Sequence, residues 1–259
     1  MRIISFSADG VREAAGRGFF EWVSRQDADF ICIQDLRCSE YDLQDELFFP
    51  SEYNAYFFDD INGKDNGVAL YCRELPKAIM TGLGFADFDM QGRYIQADFA
   101  SLSIGCLLAP HAADDDDDAQ EAKDEFYSLL GGHLQKVRNK RRDFIICGNW
   151  GIAPEAIDLE NSEAAQGRSG FLLQEQGWMD ELFQNGYADA YREVSSDSDA
   201  FSFWPDSDAD SEAHSGYGWR VDLQVVSEEL RQTVEHAAFF TGQAFSRHAP
   251  LIGDYDIEL

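Results

Sequence analysis

Six short polar turns, each following or preceding an apolar run, hold the residues of this chain that are equipped for chemistry. They are Ser7-Ala8-Asp9-Gly10, Gln34-Asp35, Leu108-Ala109-Pro110, Gly148-Asn149-Trp150-Gly151, Arg220-Val221-Asp222 and Ser246-Arg247-His248-Ala249-Pro250. Asp9, Asp35 and Asp222 bring carboxylates, His248 an imidazole, and Ser7 and Asn149 a hydroxyl and an amide. Such groups move protons or ligate hard cations, and they do so where strands end in loops. The turns act together only if the fold gathers them at one place.

The elements that must position them alternate. Arg2–Ala8 is a short β-rich run, and Val11–Gln26 repeats Phe19, Phe20, Trp22 and Val23 at helical spacing. Asp29–Gln34 is apolar enough for a strand covered on both faces. Tyr53–Phe58 with Gly67–Arg73, and Tyr94–Phe99 with Leu102–Leu108, predict antiparallel pairs. Ala119–Lys136 predicts a helix and Asp143–Gly148 another buried strand. Beyond them the pattern predicts a helix near Phe171–Gln184, strands at Ala200–Trp204 and Trp219–Val226, a helix at Glu228–His236 and a last strand at Leu251–Ile257. Interleaved strand, helix and hairpin signals predict an α/β fold of mixed sheets with helices outside. No linker rich in Pro, Ser or Gly divides the chain, so a single domain over residues 1–259 is expected.

Charge narrows the functional classes. With 20 Lys and Arg against 49 Asp and Glu, the formal net charge is −29 at pH 7. A field of that sign repels phosphate and anionic lipid, which disfavours sequence-blind binding to nucleic acid or membrane by bulk electrostatics, and any RNA or DNA contact is expected to be local or shared with a basic partner. No apolar run approaches the roughly 20 residues of a membrane span, and the start carries no export pattern, so a cytoplasmic protein is expected. Cys32, Cys38, Cys72, Cys106 and Cys147 lack metal or redox spacing and read as reduced core thiols. The acidic run Asp114–Asp118 lacks the alternation and turn glycine of a calcium loop and reads as solvated. Trp22 and Trp178 read as core, as do Trp204 and Trp219, with base stacking the minor alternative for the latter two.

The order and spacing of the six turns resemble the exonuclease III-like (endonuclease/exonuclease/phosphatase) family. The resemblance implies a four-layer sandwich of two packed mixed β-sheets flanked by helices, with a metal-assisted phosphodiesterase site at one end. Against the family pattern, the Asn-x-Asn-Gly turn has become Ser7-x-Asp9-Gly10, the metal-holding Glu is Asp35, and the phosphate-facing Tyr falls on Leu108. Gly-Asp-x-Asn is now Gly148-Asn149-Trp150-Gly151, which loses the carboxylate that activates the nucleophile and the amide that follows. Asp-His has become Arg247-His248, while Asp222 and His248 themselves survive. Removing one acid–base or electrostatic group costs about 10²–10⁴ in rate. The expectation is therefore a chain that is not an enzyme, with no metal and no cofactor.

Further runs, among them Gly92-Arg93-Tyr94, Trp204-Pro205-Asp206-Ser207 and Gly218-Trp219-Arg220, resemble the catabolite repression control branch of that family. This implies a post-transcriptional regulator that joins the RNA chaperone Hfq on A-rich translation-initiation regions. On that reading A-rich mRNA is bound only within the Hfq complex, and the chain alone is a monomer with self-contacts inside the assembly. Lys136, Arg138, Lys140, Arg141 and Arg142 are the expected RNA or partner contacts, with Lys77, Arg192 and Arg231 as weaker ones. The alternative is a divergent metal-dependent phosphodiesterase using Asp9, Asp35, Asp222 and His248.

Overall fold

Strands with alternating faces and helices with one apolar face leave two sheet faces to bury against each other and two against helices. The computed structural model of the protein, which describes residues 1–140, 142–207 and 213–259, has that arrangement. Its strands are β1 (Arg2–Ser7), β2 (Phe30–Gln34), β3 (Asn54–Phe58), β4 (Val68–Cys72), β5 (Ala78–Thr81), β6 (Tyr94–Asp98), β7 (Leu102–Leu108), β8 (Asp143–Asn149), β9 (Tyr187–Asp189), β10 (Asp222–Ser227), β11 (Val234–Phe239) and β12 (Leu251–Tyr255). One sheet runs β11-β12-β1-β2-β4-β3 and the other β5-β6-β7-β8-β10-β9. The pairs β1–β2 and β7–β8 are parallel within otherwise antiparallel sheets.

Period-two alternation sorts the core into layers. Ile3, Phe30, Cys32, Leu70, Ile104, Cys106, Ile145 and Cys147 fill the space between the sheets. Ile4, Phe6, Ile31 and Ile33, on the opposite face of the first sheet, pack against Val11, Phe19 and Phe20. Phe144, Ile146, Leu223 and Val225 on the outer face of the second pack under Phe126, Leu130 and Leu134 of the long helix Asp117–Arg138 and under Met179 of the helix Leu173–Gln184. The result is a four-layer α/β sandwich. All five cysteines are buried and free.

The parallel pairs matter for function. A parallel neighbour requires a crossover, so the chain leaves the carboxyl ends of β1 and β7 through helices and re-enters at the opposite end of the sheet, where those strands began. The carboxyl ends of β1, β2, β7 and β8 therefore lie together, and these are the ends that carry Ser7, Asp35, Leu108 and Asn149. Antiparallel pairing sets Asp222, the first residue of β10, opposite Asn149.

Several expected elements differ. Val11–Gln26 is two short helices, Val11–Gly16 and Phe19–Val23, because Gly18 turns left-handed at φ 89° between them. Ala200–Trp204 is no strand: Phe203 alone bridges Trp219 and His248. Glu228–His236 is a 3₁₀ turn over Glu228–Thr233 that runs into β11, whose pairing with β12 outweighs helical spacing. The long helix starts earlier than expected because Asp116 caps it, its carboxylate accepting from Ala119 N at 2.9 Å. Asp117 and Asp118 then occupy its first turn, where negative charge is favoured. The acidic run is therefore partly a helix start and not only a solvated loop.

Candidate active site

At the shared strand end a cleft of about 740 Å³ opens between the two sheets. Asp9, Asp35, Leu108, Asn149, Gly151, Arg247 and His248 line it. Ser7 reaches it through Asn149, whose Nδ2 donates to Ser7 Oγ at 3.3 Å, and Asp222 reaches it through His248. All nine expected site positions are thus brought together.

Asp222 and His248 form a buried pair, with imidazole Nδ1 2.7 Å from carboxylate Oδ2. An ionised carboxylate only accepts, so the Nδ1 that faces Asp222 carries a proton. Both partners are anchored from behind. Asp222 N donates to Ser202 Oγ at 3.0 Å, and His248 N donates to Ser246 Oγ at 2.9 Å. Phe203 stacks on the imidazole with centroids 4.4 Å apart. Beneath β10, the fully buried Arg220 is clamped by Asp158 at 2.7 Å and Asp189 at 2.6 Å, which fixes the start of the strand carrying Asp222.

Asn149 faces this pair across the cleft floor. Its Oδ1 accepts from Gly151 N at 3.0 Å while its amide reaches Ser7, so it ties the central strands of the two sheets. The preceding residue has to be Gly148, because a Cβ there would lie 1.9 Å from the Leu107 carbonyl oxygen. Gly151 is held by Lys123, whose Nζ donates to its carbonyl at 2.9 Å and pairs with Glu175 at 2.6 Å in the interior.

The third cluster was not foreseen as a unit. Arg247 grips Asp9 with Nε to Oδ2 at 2.5 Å and Nη2 to Oδ1 at 2.8 Å. Arg37 bridges Asp9 and Asp35, with Nη2 2.5 Å from Asp9 Oδ1 and 2.7 Å from Asp35 Oδ2. Burial works against the Asp9 charge, but the Arg247 hydrogen bonds and the charges of His248, Arg37 and Arg247 hold its carboxyl down to about 2. At Asp35 burial wins over Arg37 and lifts the carboxyl. Asp9, Asp35 and Arg37 all sit in the left-handed region, at φ 55°, 59° and 52°. Strain of this kind is held in place by surrounding structure and gathers at functional sites.

Arg93 and Arg168 complete the cationic wall, and Trp219 lines the cleft beneath Arg168. Burial pushes the Arg93 guanidinium down to about 10, with Asp35 and Asp60 opposing, and its short hydrogen bond is to the neutral Gln91 Oε1 at 2.6 Å. Sequence reasoning missed Arg37, Arg93 and Arg168. Arg93 lay within a motif already singled out, Gly92-Arg93-Tyr94, so a signal for it existed. Trp204 stacks on His214 with centroids 3.9 Å apart.

A divalent cation needs oxygen ligands free to turn toward it. Of the four carboxylates that line the cleft, Asp9, Asp35 and Asp114 are committed to arginines, which leaves Asp65. Among the described residues no group of three or more His, Cys, Asp and Glu side chains could hold a metal ion. The residues present do not fit the metal that the family pattern implies.

The expected basic contacts lie elsewhere. Lys136 and Arg138 end the long helix, and Arg142 precedes β8, whereas the cleft opens where β8 finishes. Seven residues of strand put about 20 Å between them. Lys136, Arg138, Lys140 and Lys77 are exposed. Arg142 instead donates to the carbonyl of Phe99 at 3.1 Å and pairs with Asp98 at 3.5 Å. Arg192 pairs with buried Asp158, and Arg231 with Glu193 and Glu228, each at 3.0 Å. Arg141 lies outside the described residues.

Residues 8–248 match the family model described as the Endonuclease/Exonuclease/phosphatase family. The chain belongs to that family. Over 255 residues it is 27% identical to an exodeoxyribonuclease of Bacillus subtilis (strain 168), covering 97% of this chain and 98% of that one. It is 28% identical over 236 residues to the DNA repair nuclease APEX1 of Danio rerio, covering 89% and 74% of the two chains. An AP endonuclease structure from Archaeoglobus fulgidus superposes with a TM-score of 0.87 at 20% identity, over 99% of this chain and 100% of that one, which confirms the sandwich fold. The expectation that the chain is not an enzyme is overturned by these matches, since the family members it is similar to are named as nucleases. Among the described residues no helix is long and apolar enough to cross a membrane.

Proposed function

We propose that this chain acts on nucleic-acid phosphodiesters, binding the backbone along the arginine wall of the cleft and transferring protons through His248, oriented by Asp222. The observation that carries the reading is the concentration of Arg37, Arg93, Arg168 and Arg247 around a preserved carboxylate–imidazole pair, on a chain of net charge −29. Arg37, Arg168 and Arg247 each neutralise an aspartate, so a phosphate entering the cleft meets local balance instead of the chain's overall negative field. Arg93 supplies a charge not already spent on a short ion pair.

In this reading water attacks phosphorus as His248 Nε2 accepts its proton, the P–O ester bond breaks, the imidazolium returns that proton to the leaving alkoxide oxygen, and the arginines stabilise charge growing on the phosphate oxygens. Asn149 has no carboxylate to share the task, which makes turnover slow. The test combines fluorescence anisotropy with gel analysis of end-labelled single-stranded DNA, duplex DNA with an abasic site, and A-rich RNA. Salt-sensitive binding with slow product formation, abolished by Asp222→Asn, is expected. Neither binding nor product on any of the three would overturn the reading.

A second reading concerns how RNA reaches the protein. We infer that Hfq shares the RNA, because a chain at −29 is repelled by a polyanion unless a basic partner holds it. The exposed Lys136, Arg138 and Lys140 supply a local contact. A gel-shift comparison of A-rich RNA with this protein, with Hfq and with both checks this: a supershift only in the mixture supports it, and none opposes it.

A further inference from the structure

The pairing of Asp9 with two arginines has a chemical consequence. Asp9 Oδ1 accepts from Arg37 Nη2 and Arg247 Nη2, and Oδ2 accepts from Arg247 Nε. Asp35 meets Arg37 Nε at 3.2 Å through Oδ1 and Nη2 at 2.7 Å through Oδ2. Two carboxylates and two guanidinium groups thus form one continuous chain, Asp35–Arg37–Asp9–Arg247. Guanidinium stays charged at every physiological pH, so its two positive charges are permanent. An incoming dication would have to break these charge-assisted hydrogen bonds and then face two displaced cations nearby.

The network is also built rigidly. Gly10 N donates to Asp35 O at 3.0 Å and Val11 N to Leu36 O at 3.0 Å, which zips the two turns together. The left-handed backbone at Asp9, Asp35 and Arg37 aims their side chains at one another. Arg247 lies with Cζ 5.8 Å from the centre of the Phe203 ring, and that ring stacks on His248. The arginine pair therefore abuts the proton-transfer pair, on the side where the aspartates would have offered oxygen to an ion.

We propose that Arg37 and Arg247 are a built-in substitute for a divalent cation, so that phosphate binding in this cleft proceeds without a metal ion. The proposal deepens the phosphodiester reading, but its first test does not depend on it. That test titrates the intact protein with Mn²⁺, followed by electron paramagnetic resonance of the free ion. Wild type is expected to bind no more tightly than about millimolar, the weak end of oxygen-ligand sites. Arg37→Ala/Arg247→Ala, which frees Asp9 and Asp35, is expected to tighten binding at least about tenfold, a gain reversed by adding Asp9→Asn.

Micromolar binding of Mn²⁺ by wild type, lost in Asp9→Asn, would overturn the proposal. Circular dichroism shows whether the double variant folds, and if it does not, the wild-type titration decides alone. The second arm compares oligonucleotide anisotropy in EDTA and in Mg²⁺, where a change below about twofold is expected and loss of binding in EDTA contradicts metal independence. Failure of all oligonucleotide binding would sink the phosphodiester reading while leaving the Mn²⁺ result intact, so the two failures are distinguishable.

Discussion

Arg247 holds Asp9 through two parallel hydrogen bonds, Nε to Oδ2 at 2.5 Å and Nη2 to Oδ1 at 2.8 Å, across 238 residues of sequence. This fork joins the turn after β1 to the segment before β12 at the mouth of the cleft. It also decides the protonation state of Asp9, and with it an acid limit on stability.

Asp9 is held down to about 2 from an ordinary 3.8, burial opposing and Arg247 prevailing. A depressed carboxyl contributes stability that is complete above the unfolded value and lost as pH falls through the folded one. The unfolding free energy of wild type, from urea titrations, should therefore drop between pH of about 4 and about 2, by roughly 2 kcal/mol. Asp9→Asn should lie roughly 2 kcal/mol below wild type at neutral pH and show a shallower fall over that window.

Lys123 and Glu175 are both almost fully inside, and the ammonium also supports the Gly151 carbonyl beside the cleft. Lys123→Met leaves the Glu175 charge uncompensated and should cost about 3–5 kcal/mol in chemical denaturation. Adding Glu175→Leu should recover part of the loss, because two apolar groups remove the stranded charge.

Gly148→Ala should be among the most damaging single changes, since its Cβ would meet the Leu107 carbonyl oxygen at 1.9 Å. Either β7 and β8 separate or the turn carrying Asn149 shifts. A loss of more than about 4 kcal/mol, or failure to fold, is expected in thermal and urea melts.

Arg93→Ala removes a cleft cation without disturbing a short ion pair. Binding of a single-stranded oligonucleotide should weaken about tenfold, and the slope of log K against log salt should fall by about one. Arg231→Ala, distant and paired with Glu193 and Glu228, should leave both quantities unchanged.

Mixed sheets with helices outside were legible from local pattern, whereas the four layers and the gathering of the six turns at one end were legible only through the family resemblance those turns carry. Near-continuous apolar runs such as Phe30–Gln34 and Asp143–Asn149 declare two buried faces, and the polar residues ending them mark the site. The short strand β5 was not legible, since an exposed edge such as Ala78–Thr81 has no apolar alternation to read. β11 was hidden for a similar reason, with Glu235 and His236 exposed in succession at a bulge. The arginine network was invisible for a different reason. Arg37 and Arg247 look like solvated surface cations until the fold sets them on Asp9, and no spacing in the chain encodes that meeting. The losses at Ser7, Leu108 and Asn149 were plain, but reading them as absence of enzyme function overlooked the cations that had come to stand beside them.

The measurement that tests this account most directly is the initial rate of product release from an end-labelled oligonucleotide by wild type, His248→Ala and Asn149→Asp. If the Asp222–His248 pair transfers protons in this cleft, His248→Ala lowers the rate by about 10²–10⁴ and Asn149→Asp, by restoring a carboxylate, raises it. Equal rates for all three proteins, or no product from wild type and Asn149→Asp alike, would contradict it.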